Sequence, residues 1–475
     1  MTGPALLVLP AGLPWALAAA LVLLDGRRGW VGWVAASGLA ASFASVVVLG
    51  LRVLREGPVE VVAGGWPAGV GIVLRADALG VVFAGVSIGV LLVSLIHELF
   101  GDGVRSRTFP TLILFMAAGL SGLFLTGDVF NFYVFFEISM TAAYVLTGYR
   151  EQDYQVRGAF IFAIVNLLGS VVFLIAIAAL YHVTGTLEMQ AIAERVRDVN
   201  PNSLIVIAAA IFVAFSLKLG LFPFHFWLPA VYVGSHAPVA AILSGALANI
   251  GNYGLLRFGG GILPEELELG TVAVLILGSA SIIYGALQAI SRRDTTEVLA
   301  YSAIGQVGYV LVALGIGGSI GFSAAVIYAV VNSLNKALLF LVSRLQGWLA
   351  GAAFAVGAFS LVGVPPAVGF VAKIAVFKAG LAAGGVWQAA VLVALIFLGS
   401  ALSFVYAFQI YQRAFLASGS QGNDRDKKTS PWTERALSGA LALLILTVGL
   451  WPQPLLVLGE EAAAALIESP GGGSQ

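Results

Sequence analysis

Apolar residues run in blocks that recur along the whole chain, each near or above the roughly 20 residues a helix needs to cross about 30 Å of hydrocarbon. The blocks predict about fourteen membrane spans, at 4–24, 30–52, 77–100, 108–126, 129–148, 157–182, 203–232, 237–258, 270–290, 298–317, 321–344, 352–384, 387–412 and 434–452. The expected fold class is therefore an all-α polytopic membrane protein. The first block, Ala5–Leu24, has no basic stretch before it and no evident cleavage site, so it reads as a retained span. The tail around Gly471–Gly473 reads as disordered.

Two of the blocks are longer than one plain crossing and are interrupted in the same way. The seventh contains LGLFPFHFWLPA (Leu219–Ala230) with Pro223 and Pro229, and the twelfth contains LVGVPPAVGF (Leu361–Phe370) with Pro365 and Pro366. Proline removes a backbone donor and clashes with the preceding turn, so a helix breaks there. Broken backbone at membrane depth is tolerated only inside protein or beside a wet cavity. Matched breaks in two halves of a chain point to an inverted-repeat transporter. The expected division is 1–107 for helices 1–3, 108–258 for a first repeat (helices 4–8), 269–417 for a second repeat (helices 9–13), and 433–475 for helix 14 and the tail. The plainer alternative is two ordinary proline kinks.

Composition agrees with a bilayer setting. Sixty per cent of residues are hydrophobic and ten per cent charged, with a mean hydropathy of +0.99, whereas a soluble domain is about 25% charged. The absence of cysteine excludes disulfides, thiolate metal sites and cysteine nucleophiles. The four histidines (His97, His182, His225, His236) form no metal motif, and no cofactor-binding motif is present, so no cofactor is expected. A net charge of zero provides no general field for nucleic acid.

Loop charge tests the span count. With the N-terminus outside, the inside loops carry Arg27/Arg28, Arg105/Arg107, Arg150/Arg157, Arg292/Arg293 and Arg425/Lys427/Lys428. The outside segments carry Glu188/Glu194/Asp198, Glu265/Glu266/Glu268 and Glu460/Glu461, with Arg52/Arg55 and Arg195/Arg197 as basic exceptions. An even number of spans with both termini outside fits, in a cell membrane.

Within the spans, charge is rare enough to be conspicuous. Glu137 is the only formal charge in Val129–Tyr149, and nine positions from Asp128 put it roughly 13–14 Å along a helix, near mid-bilayer. A charge there costs roughly 2.5–3.5 kcal/mol on insertion scales, so such residues face a protein interior and have a partner. Lys218 is alone between Val199 and Leu256, five residues before Pro223. Lys336 is alone between Val298 and Ser343, and Lys373 follows the second break, with Lys378 five positions on. Lysine changes protonation state readily when desolvated, so these are candidates for proton transfer. The alternatives are a snorkelling side chain, the natural reading of Lys378 and one open to Lys336, or a structural Glu137–Lys218 pair. His225 and His236 flank the first break as candidate relays. Asn249, Asn252, Gln306 and Asn332 are candidates for holding water or packing between helices. Asp77 and Asp128 read as helix-start carboxylates, and His97 and His182 as interfacial.

The segments GDVFNFYVFFEISMTAAYVL (Gly127–Leu146), SLKLGLFPFHFWLPAVYVGSHAPVAAIL (Ser216–Leu243), LAYSAIGQVGYVLVALG (Leu299–Gly315), NKALLFL (Asn335–Leu341) and PPAVGFVAK (Pro365–Lys373) together resemble, in order, the antiporter-like subunits of respiratory complex I, membrane-bound hydrogenases and Mrp-type multisubunit sodium/proton antiporters. The stretch NFYVFFE is most similar to the D-type member of the Mrp set. The resemblance, over about residues 75–415, implies that Glu137 pairs with Lys218, that Lys336 continues a central hydrated axis, and that Lys373 links it to an exit or to the next subunit. It implies a proton-translocating subunit working with other subunits, moving H+ against Na+, with no enzyme chemistry of its own. The other readings are a membrane-arm subunit of a redox-driven complex and a scaffold with a degenerated path. Three departures stand out. Ala248 and Asn249 occupy the eighth-span region where the family carries a lysine or histidine, Ala230 replaces an acid, and Thr296/Glu297 replace a basic pair.

Overall fold

Short polar side chains at the ends of apolar blocks set where the helices begin. Asp77 accepts a hydrogen bond from the Gly80 N–H at 2.9 Å, Asp128 from the Asn131 N–H at 2.7 Å, and Asp294 from the N–H groups of Thr296 and Glu297. Each satisfies a donor that the first helical turn leaves unpaired. The expected helix-start roles of Asp77 and Asp128 are therefore observed. Burial holds the Asp128 carboxyl above its ordinary pKa, against the opposing hydrogen bonds from the backbone.

The computed structural model describes residues 3–66, 71–101, 106–416 and 431–467. Arg105, Arg425, Lys427, Lys428 and Gly471–Gly473, which carry part of the predicted inside charge and the predicted tail, lie outside the described residues. The chain is helical in the fourteen expected places: spans 1 to 6 at Gly3–Leu21, Gly29–Glu56, Ala78–Phe100, Phe109–Phe124, Val129–Thr147 and Asp153–Thr184, and spans 7 to 11 at Pro201–Gly234, Ala237–Ile262, Thr271–Ser291, Thr295–Ile316 and Gly318–Val342. Span 12 is the pair Trp348–Val362 and Val368–Ala382, and spans 13 and 14 are Val386–Tyr411 and Trp432–Leu450. Eleven of these helices are long and apolar enough to cross a membrane, and three more are shorter and apolar.

Loop-to-loop hydrogen bonds show which span ends share a face. After span 2 a hairpin pairs Val59–Val62 with Val73–Ala76, and Arg75 N–H and Gly127 N–H bond to Leu125 and Val73 carbonyls across the turn between spans 4 and 5. Met189 N–H and Val129 N–H join that turn to the segment after span 6. At the other ends, Gly26 N–H bonds to Arg107 O, and the Arg413 guanidinium to Arg292 O. Alternate loops thus gather on alternate faces, as an unbroken parity of crossings requires.

Spans 8, 10 and 11 are almost wholly enclosed, while spans 6, 9, 13 and 14 present exposed apolar side chains such as Phe160, Ile276, Phe397 and Leu443. In lipid, helix association depends on close packing more than on hydrophobic burial, so small residues mark the tightest seams. Spans 9 and 10 meet through Gly278/Gly308 and Gly285/Gly305. A Cβ on Gly285 would lie 2.4 Å from the Gly305 nitrogen, and one on Gly308 2.6 Å from the Gly278 carbonyl oxygen.

Both interruptions are present. Span 7 stops at Leu219, Gly220 turns left-handed at φ 65°, and helix resumes through Phe224–Trp227 into Leu228–Gly234. Span 12 stops at Val362, where Gly363 has φ 89°, and resumes at Val368. The freed backbone is satisfied internally: Phe222 N–H donates to Ser281 Oγ at 3.1 Å, and Gly369 N–H to Ser360 Oγ at 3.0 Å. Besides the hairpin, two features were not expected. Span 8 contains π-helical turns at Leu243–Leu247 and Leu255–Ile262. The region after span 14, expected to be a tail, holds a helix at Gln453–Ile467, because Leu455, Gly459, Ala462, Ala463 and Leu466 recur at helical spacing and give it a face to bury against spans 3 and 11.

Candidate functional site

Lys218 is the last-turn residue of the first half of span 7 and is buried, 8% exposed. Its ammonium donates to the Asn166 backbone carbonyl at 2.9 Å and to Ser170 Oγ at 3.1 Å, two groups one turn apart on span 6. It also sits 4.1 Å from the centre of the Phe136 ring, a favourable cation–π placement. Glu137, next to Phe136, is within electrostatic reach of Lys218, but the two do not form an ion pair within 4 Å. Glu137 Oε1 is buried without a hydrogen-bond partner, as is the hydroxyl of Tyr144, seven residues on along the same face of span 5.

Beside Lys218 a cavity of about 10 Å³, roughly the space of one water, is lined by Asn166, Lys218, Tyr232, Leu247 and Ala248. The Asn166 Oδ1 atom is buried there without a partner. The π turn Leu243–Leu247 forms part of the wall. On the far side Asn249 is fully buried. Its amide donates to Ser87 Oγ (3.1 Å) on span 3 and the Gly245 carbonyl (3.1 Å), and its Oδ1 accepts from Ser333 Oγ (3.0 Å) on span 11 and from Asn252 (3.3 Å). The approach is close because residue 245 lacks a side chain: a Cβ there would be 2.8 Å from the Ser333 carbonyl oxygen. Asn249 thus ties the first half of the chain to span 11, three residues before Lys336.

Lys336 has no exposed surface, which excludes snorkelling, whereas Lys378 is exposed as that reading expects. The Lys336 ammonium donates to the Leu299 carbonyl at 3.1 Å and to Ser302 Oγ on span 10. Ser302 lies beside the Tyr406 hydroxyl, which accepts from the Gln306 amide at 3.0 Å and donates to Ser403 Oγ at 3.3 Å. Tyr328 donates to the carbonyl end of Gln306. A second cavity of about 10 Å³ is lined by Gln306, Tyr328, Asn332, Asn335 and Ser360. Lys373, 4% exposed, donates to Ser400 Oγ at 3.0 Å and lies 3.8 Å from the centre of the Tyr309 ring.

The two candidate histidine relays lie apart. His225 Nε2 is 2.8 Å from the Tyr284 hydroxyl on span 9. His236 Nδ1 is 3.4 Å from Glu98 Oε2, and Glu98 also accepts from Tyr149 and Arg150. His97 lies in the last turn of span 3, but it does not face outward. It is 5% exposed and hydrogen-bonds with the Leu341 backbone of span 11, because packing covers the span end. Not anticipated from the sequence were the buried pair of Arg257 with Asp77 (2.7 and 2.8 Å) and the serine and tyrosine hydroxyls around the lysines. Their one available signal was spacing: Asn166/Ser170 and Ser302/Gln306 each recur four apart in otherwise apolar spans.

A family model described as NADH:quinone oxidoreductase/Mrp antiporter, transmembrane, matches residues 126–347, a stretch that includes Glu137, Lys218 and Lys336 but not Lys373. The chain is 31% identical over 429 residues to the D-type subunit of the Na(+)/H(+) antiporter of Alkalihalophilus pseudofirmus, covering 85% of this chain and 87% of that one. Among solved structures it resembles a chain of the Mrp complex from Dietzia sp. DQ12-45-1b, with a TM-score of 0.89, 26% identity and 99% of each chain covered. A chain of the membrane-bound sulfane sulfur reductase, an archaeal respiratory membrane complex, shares the fold at a TM-score of 0.89 and 24% identity, again over 99% of each chain.

Proposed function

The chain belongs to the NADH:quinone oxidoreductase/Mrp antiporter transmembrane family, and from that premise we propose that it is the proton-translocating subunit of a multisubunit sodium/proton antiporter. It lies in the cell membrane with both termini outside, and its two halves, 108–258 and 269–417, act as inverted repeats. Its work is ion movement, and any redox chemistry belongs to partner subunits.

The observation that carries this reading is the state of the three deep lysines. Lys218, Lys336 and Lys373 are all buried, all hydrogen-bonded to neutral oxygens, and none is ion-paired within 4 Å among the described residues. A permanent structural cation in such a place keeps a carboxylate partner. A lysine held by carbonyl and hydroxyl oxygens can hold or release its proton without breaking a salt bridge.

Glu137 is the switch. Its unpartnered oxygen lies within reach of Lys218 without touching it, so approach of the two favours the charged lysine and separation favours proton release. A water in the Lys218 cavity, with Asn249 and Ser333, carries the connection past Ala248 to Lys336. The Ser302–Tyr406–Ser403 hydroxyls continue it toward Lys373. His225 and His236 lie off this line, as do Asn252 and Asn332, which flank it.

The test is sodium-driven proton movement in everted vesicles holding the assembled complex. Lys218→Ala and Glu137→Ala should each abolish exchange while the complex still purifies intact. Exchange at the parental rate in Lys218→Ala would refute the reading and leave a scaffold.

A further inference from the structure

A large concave feature among the described residues lies away from the lysines. A groove of about 740 Å³ runs between spans 2, 3, 11 and 14 and the Gln453–Ile467 helix. On span 2 its wall extends from Phe43 to Leu54 and on span 3 from Val81 to Val93. The eleven helical rises from Phe43 to Leu54 span roughly 16 Å, about half the hydrocarbon thickness of about 30 Å. The groove is therefore as long as one leaflet is deep. It ends where spans 2 and 14 end, on a shared face.

Its depth and lining suit acyl chains. A methylene chain, whose thickness follows from van der Waals separations of about 4 Å, takes roughly 250 Å³, so two chains fit. The lining agrees, because it is apolar apart from the Gln453 amide and the Trp451 indole N–H, and Gly50, Gly85 and Gly89 place no side chain on the wall formed by spans 2 and 3. At the mouth, Trp451 is exposed, as interfacial tryptophans are. Arg55 is exposed on the last turn of span 2, and Arg52 beside it pairs with Glu56 at 2.7 Å. They are two of the four arginines that stand out against the charge bias of that face.

We propose that this groove is a phospholipid site that holds both acyl chains of one lipid, with the phosphate at the Arg55 and Trp451 rim. The site depends only on the chain's place in a bilayer and stands whether or not the lysines move protons. The lipid fills the seam between the Gln453–Ile467 helix and spans 2 and 3, and so fastens the end of the chain to its beginning.

The test uses the complex in native membranes, equilibrated with a phosphatidylethanolamine carrying a diazirine midway along one acyl chain. After illumination, adducts should concentrate on residues 43–54, 81–93 and 441–458. Filling the floor with Gly85→Leu or, separately, Gly50→Leu should lower the yield about ten-fold, while Phe397→Leu on lipid-facing span 13 leaves it unchanged. Thermal unfolding of each variant distinguishes a filled groove from a misfolded chain. Adducts spread evenly over all lipid-facing spans, full labelling in both leucine variants, or protection of the groove by a neighbouring subunit would each overturn the proposal.

Discussion

Tyr406 carries more of the site's connectivity than any residue the sequence pointed to. Its hydroxyl meets Gln306 and Ser403 and lies beside Ser302, the residue that receives a hydrogen bond from Lys336. Tyr406→Phe keeps the ring and removes only that junction. Sodium-dependent proton flux should fall about 2- to 12-fold, the kinetic equivalent of one lost hydrogen bond of roughly 0.5–1.5 kcal/mol. The thermal midpoint should change little, and an unaltered flux in vesicles would remove Tyr406 from the path. Isolation made Glu137, Lys218, Lys336 and Lys373 legible, since one charge in twenty apolar residues is its own signal. Tyr406, Ser302, Ser170 and Ser400 were not, because hydroxyl residues are common in membrane helices and only the packing decides which of them face a lysine. Asn249 was legible as a departure but not as a junction, since its partners Ser87 and Ser333 are remote in sequence.

The two broken spans show what the proline pattern conveys and what it omits. Pro223, Pro229, Pro365 and Pro366 marked the interruptions, and the breaks fall there. The chain does not announce that Ser281 and Ser360 would satisfy the freed N–H groups, nor that span 8 would widen into π turns beside the Lys218 cavity. At the second break the conformation itself limits substitution. Gly363 has φ 89°, and a Cβ on it would lie 2.6 Å from Lys373 Cγ. Gly363→Ala therefore combines backbone strain of about 1–3 kcal/mol with displacement of the lysine stem. Thermal unfolding in detergent should show the loss of stability and vesicle assays a matching loss of exchange. A variant as stable and active as its parent would mean that the turn relaxes freely. The hairpin Val59–Val62/Val73–Ala76 and the Gln453–Ile467 helix were missed for a simpler reason: both are too short to register against apolar blocks of twenty residues.

For the whole molecule, the span count was legible because length and hydropathy suffice for it, and the loop-to-loop hydrogen bonds agree with an even parity. Sidedness is a separate matter that charge bias alone proposes. The natural absence of cysteine makes it directly testable. Arg292→Cys should react with a membrane-impermeant maleimide only in everted vesicles, and Glu265→Cys only in right-side-out cells. The reverse pattern would invert the topology. One further consequence follows from the neutral oxygens around the lysines. With no fixed carboxylate in contact, a proton arriving at Lys336 adds a whole uncompensated charge inside the membrane's electric field. Moving one charge through 100 mV is worth about 2.3 kcal/mol, so a site near mid-depth feels about 1.1 kcal/mol, close to the 1.36 kcal/mol of a full pH unit. Exchange in vesicles clamped by valinomycin and potassium should therefore respond to about 100 mV of potential nearly as strongly as to one unit of pH, and the protein would read voltage as well as acidity.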